Sequence, residues 1–315
     1  MKAIVIGGAG FIGSHLCEAL LRDKNKVICV DNFLLGTREN VAHLLEDPNF
    51  VLYEADASVY EELSGIFEKE QPDYVFHLAA NSDIQASAKD PEIDYDNTYT
   101  TTYTVLKCMR SFGVKNMFFA STSAVYGDKR DVLLDENTPN LAPISYYGAA
   151  KLGSEALISA FSYMNELNVL VFRFPNVIGP RLTHGVVCDF IKKLRRNPRE
   201  LEILGDGRQS KPYIYVLDLV DAIMALREPK QPGIRLYNVG VEGETTVKKI
   251  ADIICDEMGL KDVEYHFTGG EGGWKGDVPR FAYSIDKIHA EGWRAKYNSD
   301  EAIRKAVRKN IQGAR

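Results

Sequence analysis

Met1-Lys2-Ala3-Ile4-Val5-Ile6-Gly7-Gly8-Ala9-Gly10-Phe11-Ile12-Gly13-Ser14-His15 opens the chain, and its reading decides the fold. Residues 3–6 are continuously apolar, as expected of a strand buried on both faces of a sheet. Glycines at 7, 10 and 13 then permit a tight turn, close approach of backbone to a pyrophosphate, and close packing of a helix on the sheet. The helix that follows would aim its unpaired N–H groups at the phosphates. A glycine pattern alone is weak, but here it follows a strand and opens a helix, as the mechanism requires. The opening superficially resembles an export signal. Its apolar run stops at Gly7, however, and His15 and Glu18 soon follow, so it reads as a buried strand.

Outward from this stretch, short apolar runs recur at 27–30, 50–53, 74–77, 116–120 and 169–172. Between them lie helix-compatible segments at 12–22, 38–46, 60–68, 91–112 and 145–166. The alternation predicts an α/β fold with a doubly wound parallel sheet covered by helices. After Asn176 turn-rich stretches appear, including Leu204-Gly205-Asp206-Gly207-Arg208 and Gly269-Gly270-Glu271-Gly272-Gly273. We expect a nucleotide-binding domain over 1–176, with strands returning from later segments. A smaller α/β lobe over 177–315, with helices at 184–196, 217–227, 247–258 and 300–311, would bind the substrate.

With 45% hydrophobic and 26% charged residues, the chain is neither disordered nor collagen-like. A net charge of −6 gives no invitation to nucleic acid or to an anionic membrane. Cys17, Cys29, Cys108, Cys188 and Cys255 are scattered without a CxxC, which reads as reduced thiols of a cytoplasmic protein. No His/Asp/Glu cluster suggests a metal. The basic run from Lys192 to Arg199 reads as a solvated helix end. Tyr95, Tyr99 and Tyr103 share one helix face, which suits core or subunit-interface packing.

Asp31 stands at the end of the second apolar run, 18 residues after Gly13. A carboxylate there can hold the ribose hydroxyls of an adenosine and would repel a 2′-phosphate. Asn32 and Phe33 supply no compensating arginine, so the expected cofactor is NAD.

Tyr147-Gly148-Ala149-Ala150-Lys151 places a phenol and an amine on one face of a helix. A phenol with a pKa near ~10 is a poor base at neutral pH. A nearby ammonium and a positive nicotinamide ring would both favour its phenolate. Upstream, Phe119-Ala120-Ser121-Thr122-Ser123 ends a strand, where a hydroxyl points into the ligand crevice of such a fold.

In these residues the chain resembles the extended short-chain dehydrogenase/reductases, and among them the nucleotide-sugar epimerases and dehydratases. The resemblance runs essentially end to end, through GGAGFIGSH at 7–15, HLAA at 77–80, STSAVYG at 121–127, YGAAK at 147–151, FRFPNVIGPR at 172–181, LGDGRQ at 204–209 and GDVPR at 276–280. It implies a Rossmann-like sheet and a catalytic trio of Thr122, Tyr147 and Lys151. For NAD it implies Gly7, Gly10, Phe11, Ile12, Gly13, Asp31, Asn32 and Gly36 around the phosphates and ribose. Asp56 and Ala57 would meet the adenine, Leu78, Ala79 and Ala80 would line the channel, and Asn97 and Pro175 would complete the cofactor site. For a nucleotide sugar it implies Ser82, Thr122, Asn176, His184, Val186, Val187, Leu204, Lys211, Trp274 and Asp277. A homodimer through the helices near 91–112 and 145–166 also follows from the resemblance.

Two departures from the family pattern concern the diphosphate. Lys211 stands where an arginine is usual, and Trp274-Lys275-Gly276-Asp277 replaces an Arg-x-Gly-Asp. Lysine offers a point charge where arginine offers a planar fork. Lys211, Lys275 and Arg181 are the candidate substitutes, and Trp274 could instead stack on a base.

The expected reaction is 4-epimerisation of a UDP-hexose or its N-acetyl form. The alternative is a 4,6-dehydratase or another lyase. Dehydratase relatives carry an acid/base carboxylate immediately after the catalytic Thr, whereas Ser123 and Ala124 follow Thr122 here. A non-catalytic NAD-binding scaffold fits less well, because both Tyr147 and Lys151 are present.

Overall fold

The computed structural model of the protein describes residues 1–312 apart from 131, 271, 274, 275 and 277. The chain forms two compact units, each assembled from several stretches. The first comprises Met1–Val125, Ser145–Arg173 and Val220–Tyr237. Tyr126–Ile144, Phe174–Leu219 and Asn238–Arg315 form the second.

The first unit is built on seven strands: β1 (Lys2–Ile6), β2 (Lys26–Asp31), β3 (Phe50–Glu54), β4 (Tyr74–His77), β5 (Asn116–Thr122), β6 (Asn168–Phe174) and β7 (Gly233–Asn238). Their order in the sheet is β7-β6-β5-β4-β1-β2-β3. The pairs β1–β2, β1–β4, β2–β3 and β4–β5 are all parallel. The order reverses between β1 and β4, and in such sheets ligands bind beyond the carboxyl ends of the strands at that point. Helices α1 (Phe11–Arg22), α2 (Tyr60–Glu70), α3 (Thr101–Phe112) and α4 (Tyr146–Asn165) join or flank the strands. Ile4, Ile6, Ile28, Val75, Phe119 and Val171 from the sheet pack with Leu63 and Phe67 of α2 and Leu106 and Met109 of α3. This is the doubly wound Rossmann-like arrangement expected from the alternating runs.

Three local expectations change. Residues 38–46 form two short 3₁₀ turns, Arg38–Asn40 and Ala42–Leu44, rather than a helix. The segment is tied instead to the glycine loop: Thr37 N–H and Asn40 Nδ2 both donate to the Ala9 carbonyl, at 3.2 and 2.8 Å. The helix expected over 91–112 is interrupted by a π-helical stretch at Tyr95–Thr100 between Glu92–Asp94 and α3. Strand β7, at the sheet edge, was not among the expected strands.

In the second unit, helix Val186–Arg196 and helices Val247–Met258 and Ser299–Gln312 surround short strands. Glu200–Ile203 pairs in parallel with Glu264–Phe267, and Asn176–Ile178 pairs in parallel with Tyr213–Tyr215. Its core gathers Phe190, Leu194, Leu201, Ile203, Ile250, Ile254, Ile303 and Val307. All five cysteines are free. Among the described residues no helix is long and apolar enough to cross a membrane.

Candidate functional site

Thr122 is the last residue of β5 and is 8% exposed. Its hydroxyl accepts the Ala124 N–H at 3.2 Å, which holds the chain in a tight turn after the strand. Helix α4 starts at Tyr146 because Ser145 caps it, its hydroxyl accepting the Gly148 N–H at 3.1 Å. Tyr147 therefore sits in the first helical turn, at the positive end of the helix dipole. The Thr122 hydroxyl lies near enough to the Tyr147 phenol to favour its ionised form. Lys151 follows one turn later, 1% exposed, and donates to the Ala120 carbonyl at 2.7 Å. Its ammonium lies 4.7 Å over the Phe119 ring. Strand end and helix start thus bring the predicted trio together.

The electrostatics depart from expectation. Burial pushes the Tyr147 phenol well above its ordinary value, the nearby Thr122 hydroxyl opposes this, and Asp94 raises it further. Lys151 has not lowered it. Burial instead pulls the lysine down to about 7, against Glu155 and Asp94, whose negative charges raise it. The protein's own groups hold Tyr147 as a phenol and leave Lys151 near the midpoint of its titration at neutral pH.

Arg173, Glu155, Asp94 and Asn81, which the sequence reading passed over, complete this end of the unit together with Ser121. Arg173 on β6 grips Glu155 of α4 with two hydrogen bonds, Nε to Oε1 at 3.0 Å and Nη2 to Oε2 at 2.6 Å. Ser121 donates to the same Oε1. Asp94, 1% exposed, accepts from Asn81 Nδ2 at 3.1 Å. Glu155 stands four residues after Lys151, so its place on the lysine's helix face was readable. A buried charge, by contrast, has no signature in a sequence.

At the other end, α1 begins at Gly10 with no side-chain cap and no acidic residue in its first turn. Its first N–H groups are left for an anion. Gly7 adopts φ +82°, and a Cβ there would lie 2.7 Å from the Ala79 nitrogen. A Cβ on Gly13 would lie 2.1 Å from the Gly7 carbonyl oxygen. This cradle, with Phe11 and Ile12 half-exposed beside it, fits the pyrophosphate of NAD. Asp31 ends β2 and is 7% exposed; its oxygens accept the Ala9 and Phe33 N–H groups at 2.9 and 2.8 Å. Each carboxylate oxygen keeps a second acceptor site for a ribose hydroxyl. Gly36 lies against that carboxylate. The Asn32 amide reaches Asp56 at 3.4 Å. Desolvation would raise the Asp56 carboxyl, but the Ser58 N–H and hydroxyl and the Asn32 amide hold it below its usual value. Ala57 is buried, and Leu78, Ala79 and Ala80 are half-exposed just beyond β4. The Asn97 amide donates to the Ile93 carbonyl of its own helical stretch at 3.0 Å, so its hydrogen bond in this structure is local.

Gly13→Ala is expected to cost about 1–3 kcal/mol through this backbone clash and to weaken NAD retention correspondingly. Nucleotide released from the denatured protein measures it, and full retention would show that the loop tolerates a Cβ.

Ser82 of the first unit is exposed. In the second unit Asn176 and His184 are exposed, Pro175 is buried and Lys211 is half-buried in its strand. Leu204 is 42% exposed. Val187 is 1% exposed and packs in the core with Phe190 and Ile191, on the inner face of its helix. Half-buried Val186 retains accessible surface. Trp274 and Asp277 lie outside the described residues.

Residues 3–240 match the family model described as the NAD dependent epimerase/dehydratase family. The UDP-glucose 4-epimerase of Mycolicibacterium smegmatis is 31% identical over 316 residues, covering 98% of this chain and 97% of its own. A solved UDP-glucose 4-epimerase of Thermotoga maritima, with UDP-glucose, superimposes with a TM-score of 0.89 at 31% identity over 100% of both chains. The dTDP-D-glucose 4,6-dehydratase of Mus musculus is 28% identical, covering 98% of this chain and 89% of its own. With a glycine cradle at the head of the sheet, a Thr–Tyr–Lys trio at its strand end and a match of this extent, the chain belongs to the NAD-dependent epimerase/dehydratase family.

Proposed function

We propose that the protein is a nucleotide-sugar 4-epimerase acting on a UDP-hexose or its N-acetyl form. The observation that carries this reading is the joining of Thr122, Tyr147 and Lys151 at one strand end, with Ser123 and Ala124 following in the turn where a dehydratase needs a carboxylate. Elimination of water requires a proton removed and a proton supplied, and neither side chain can do that work.

Gly7, Gly10 and Gly13 with Asp31 would hold NAD, which when bound supplies the hydride acceptor and donor at the sugar's C4 and a positive ring that favours a phenolate. Tyr147 takes the C4 hydroxyl proton and later returns it. Thr122, close to that phenol, can donate to the reacting oxygen. The Lys151 ammonium, anchored on the Ala120 carbonyl, adds positive charge to the pocket that must stabilise the phenolate. Proton transfer of this kind contributes about 10²–10⁴-fold to rate. Asn176, His184, Val186, Leu204 and Lys211 of the second unit, with Ser82, are the residues we assign to the nucleotide sugar.

We place the protein in the cytoplasm as a homodimer. Supporting the dimer, Tyr95 is 61% and Tyr103 47% exposed beside α3, and Tyr163 and Met164 on α4 are 87% and 76% exposed. Exposed side chains of this kind are the surface that a second copy would cover.

Proton NMR of the purified protein with UDP-glucose, then with UDP-N-acetylglucosamine, and without added NAD, tests the activity. The 4-epimer should appear at constant total sugar. A 4-keto-6-deoxy product would replace this reading with the lyase.

A further inference from the structure

Lys151 is buried among groups that can be named from every side. The Ala120 carbonyl and Phe119 ring face it from β5, and Glu155 lies one turn on along α4. His77 of β4 also feels its charge, and burial pushes that imidazole far below its ordinary value, so it is neutral. Two carboxylates act on the ammonium, Glu155 and Asp94. They are not equivalent. The charge of Glu155 is already matched by the two-pronged grip of Arg173. Asp94 has no ion-pair partner among the described residues.

The setting of Asp94 is equally specific. It closes the short helix Glu92–Asp94, and the π-helical stretch after it packs on α4, the Tyr99 ring resting against Gly153. Its Oδ1 accepts from Asn81, the hydroxyls of Ser87 and Thr98 lie near it, and Oδ2 has no hydrogen-bond partner. An unpartnered carboxylate oxygen that is almost wholly buried is costly to maintain unless a positive charge close by compensates it. From α4 the groups coupled to Asp94 by charge are Lys151 and Tyr147.

We propose that Asp94 is the counter-charge of Lys151, a positioning residue that acts on the reaction by keeping the catalytic lysine protonated. No ion pair joins the two among the described residues, and the ammonium donates to Ala120. Their interaction runs through buried protein, where the field of a carboxylate is weakly screened. Asp94 affects the two catalytic groups in opposite senses: its negative charge favours the ammonium of Lys151 and disfavours the phenolate of Tyr147. Asp94 thereby ties the protonation of the lysine to that of the phenol. The inference rests on Lys151 as the catalytic lysine of the epimerase proposed above.

The test is Asp94→Asn in the NAD-loaded protein, with lysine-selective ¹⁵N NMR and the Lys151→Arg variant to assign the resonance. The Lys151 amine should titrate about one pH unit lower than in the wild type. The pH profile of kcat should move as well, with KM and the thermal midpoint little changed. A titration superimposable on the wild type overturns the proposal, as does a loss of activity that is uniform across pH. Should Asp94→Asn fail to fold, Asp94→Ser serves instead. It removes the charge while keeping a small polar group, and an unshifted amine there overturns the proposal equally. Because the NMR titration needs no substrate, a shifted amine in a protein that epimerises nothing would support Asp94 and sink only the function.

Discussion

Tyr147→Phe should lower turnover about 10²–10⁴-fold while leaving NAD bound. The phenol is the group placed to move the substrate's proton, and phenylalanine keeps the ring in its half-buried seat. What is lost locally is the phenol's approach to the Thr122 hydroxyl, too little to unfold the unit. The cradle that holds the cofactor lies on the loop after β1 and is untouched by the change. Product formation by NMR and nucleotide released on denaturation measure the two effects separately. Normal turnover would remove Tyr147 from the chemistry. Loss of both turnover and NAD would instead give it a role in building the cofactor site.

The largest effect on stability should come from Glu155→Ala, at about 3–5 kcal/mol. The Arg173 side chain is 5% exposed and directs two hydrogen bonds to Glu155. Removing Glu155 strands a full charge in the sheet and leaves the Ser121 hydroxyl without its acceptor. The double variant Glu155→Ala/Arg173→Met should recover most of the loss, because an apolar side chain of similar length needs no counter-charge. Thermal melting of the single and double variants decides it. Equal destabilisation of the two would show that the pair contributes by packing rather than by compensating charge.

Much of this architecture was legible. Six sheet strands announce themselves as near-continuous apolar runs because the sheet is covered on both faces. Strand β7 does not: Gly233-Ile234-Arg235-Leu236-Tyr237-Asn238 carries an arginine and lies at the edge. The segment at 38–46 has helical composition but is held by hydrogen bonds to Ala9, a tertiary constraint that local propensity cannot express. The π-helical stretch is stabilised by side-chain contacts such as Thr101 Oγ1 to the Asp96 carbonyl at 3.0 Å, and no periodicity marks it. In the site, Tyr147 and Lys151 were readable because a helix fixes the meaning of a four-residue spacing. Thr122 was readable as a hydroxyl at a strand end. Asp94 and Arg173 were not, since in a sequence a buried charge looks like any solvated one. The burial that raises the phenol's pKa in the protein alone was not readable, because it belongs to the folded state.

The interleaving of the two units carries a consequence for how the chain is made. Strand β6 ends at Phe174, but its sheet neighbour β7 begins only at Gly233. At about 5–20 residues per second of synthesis, the ribosome needs roughly 3–12 s to deliver the missing strand. During that interval the nascent sheet presents β6 as a raw edge, the kind of edge that recruits other extended chains. Fold completion is therefore timed by translation, and slow codons between 175 and 232 should lengthen the window in which nascent chains can aggregate.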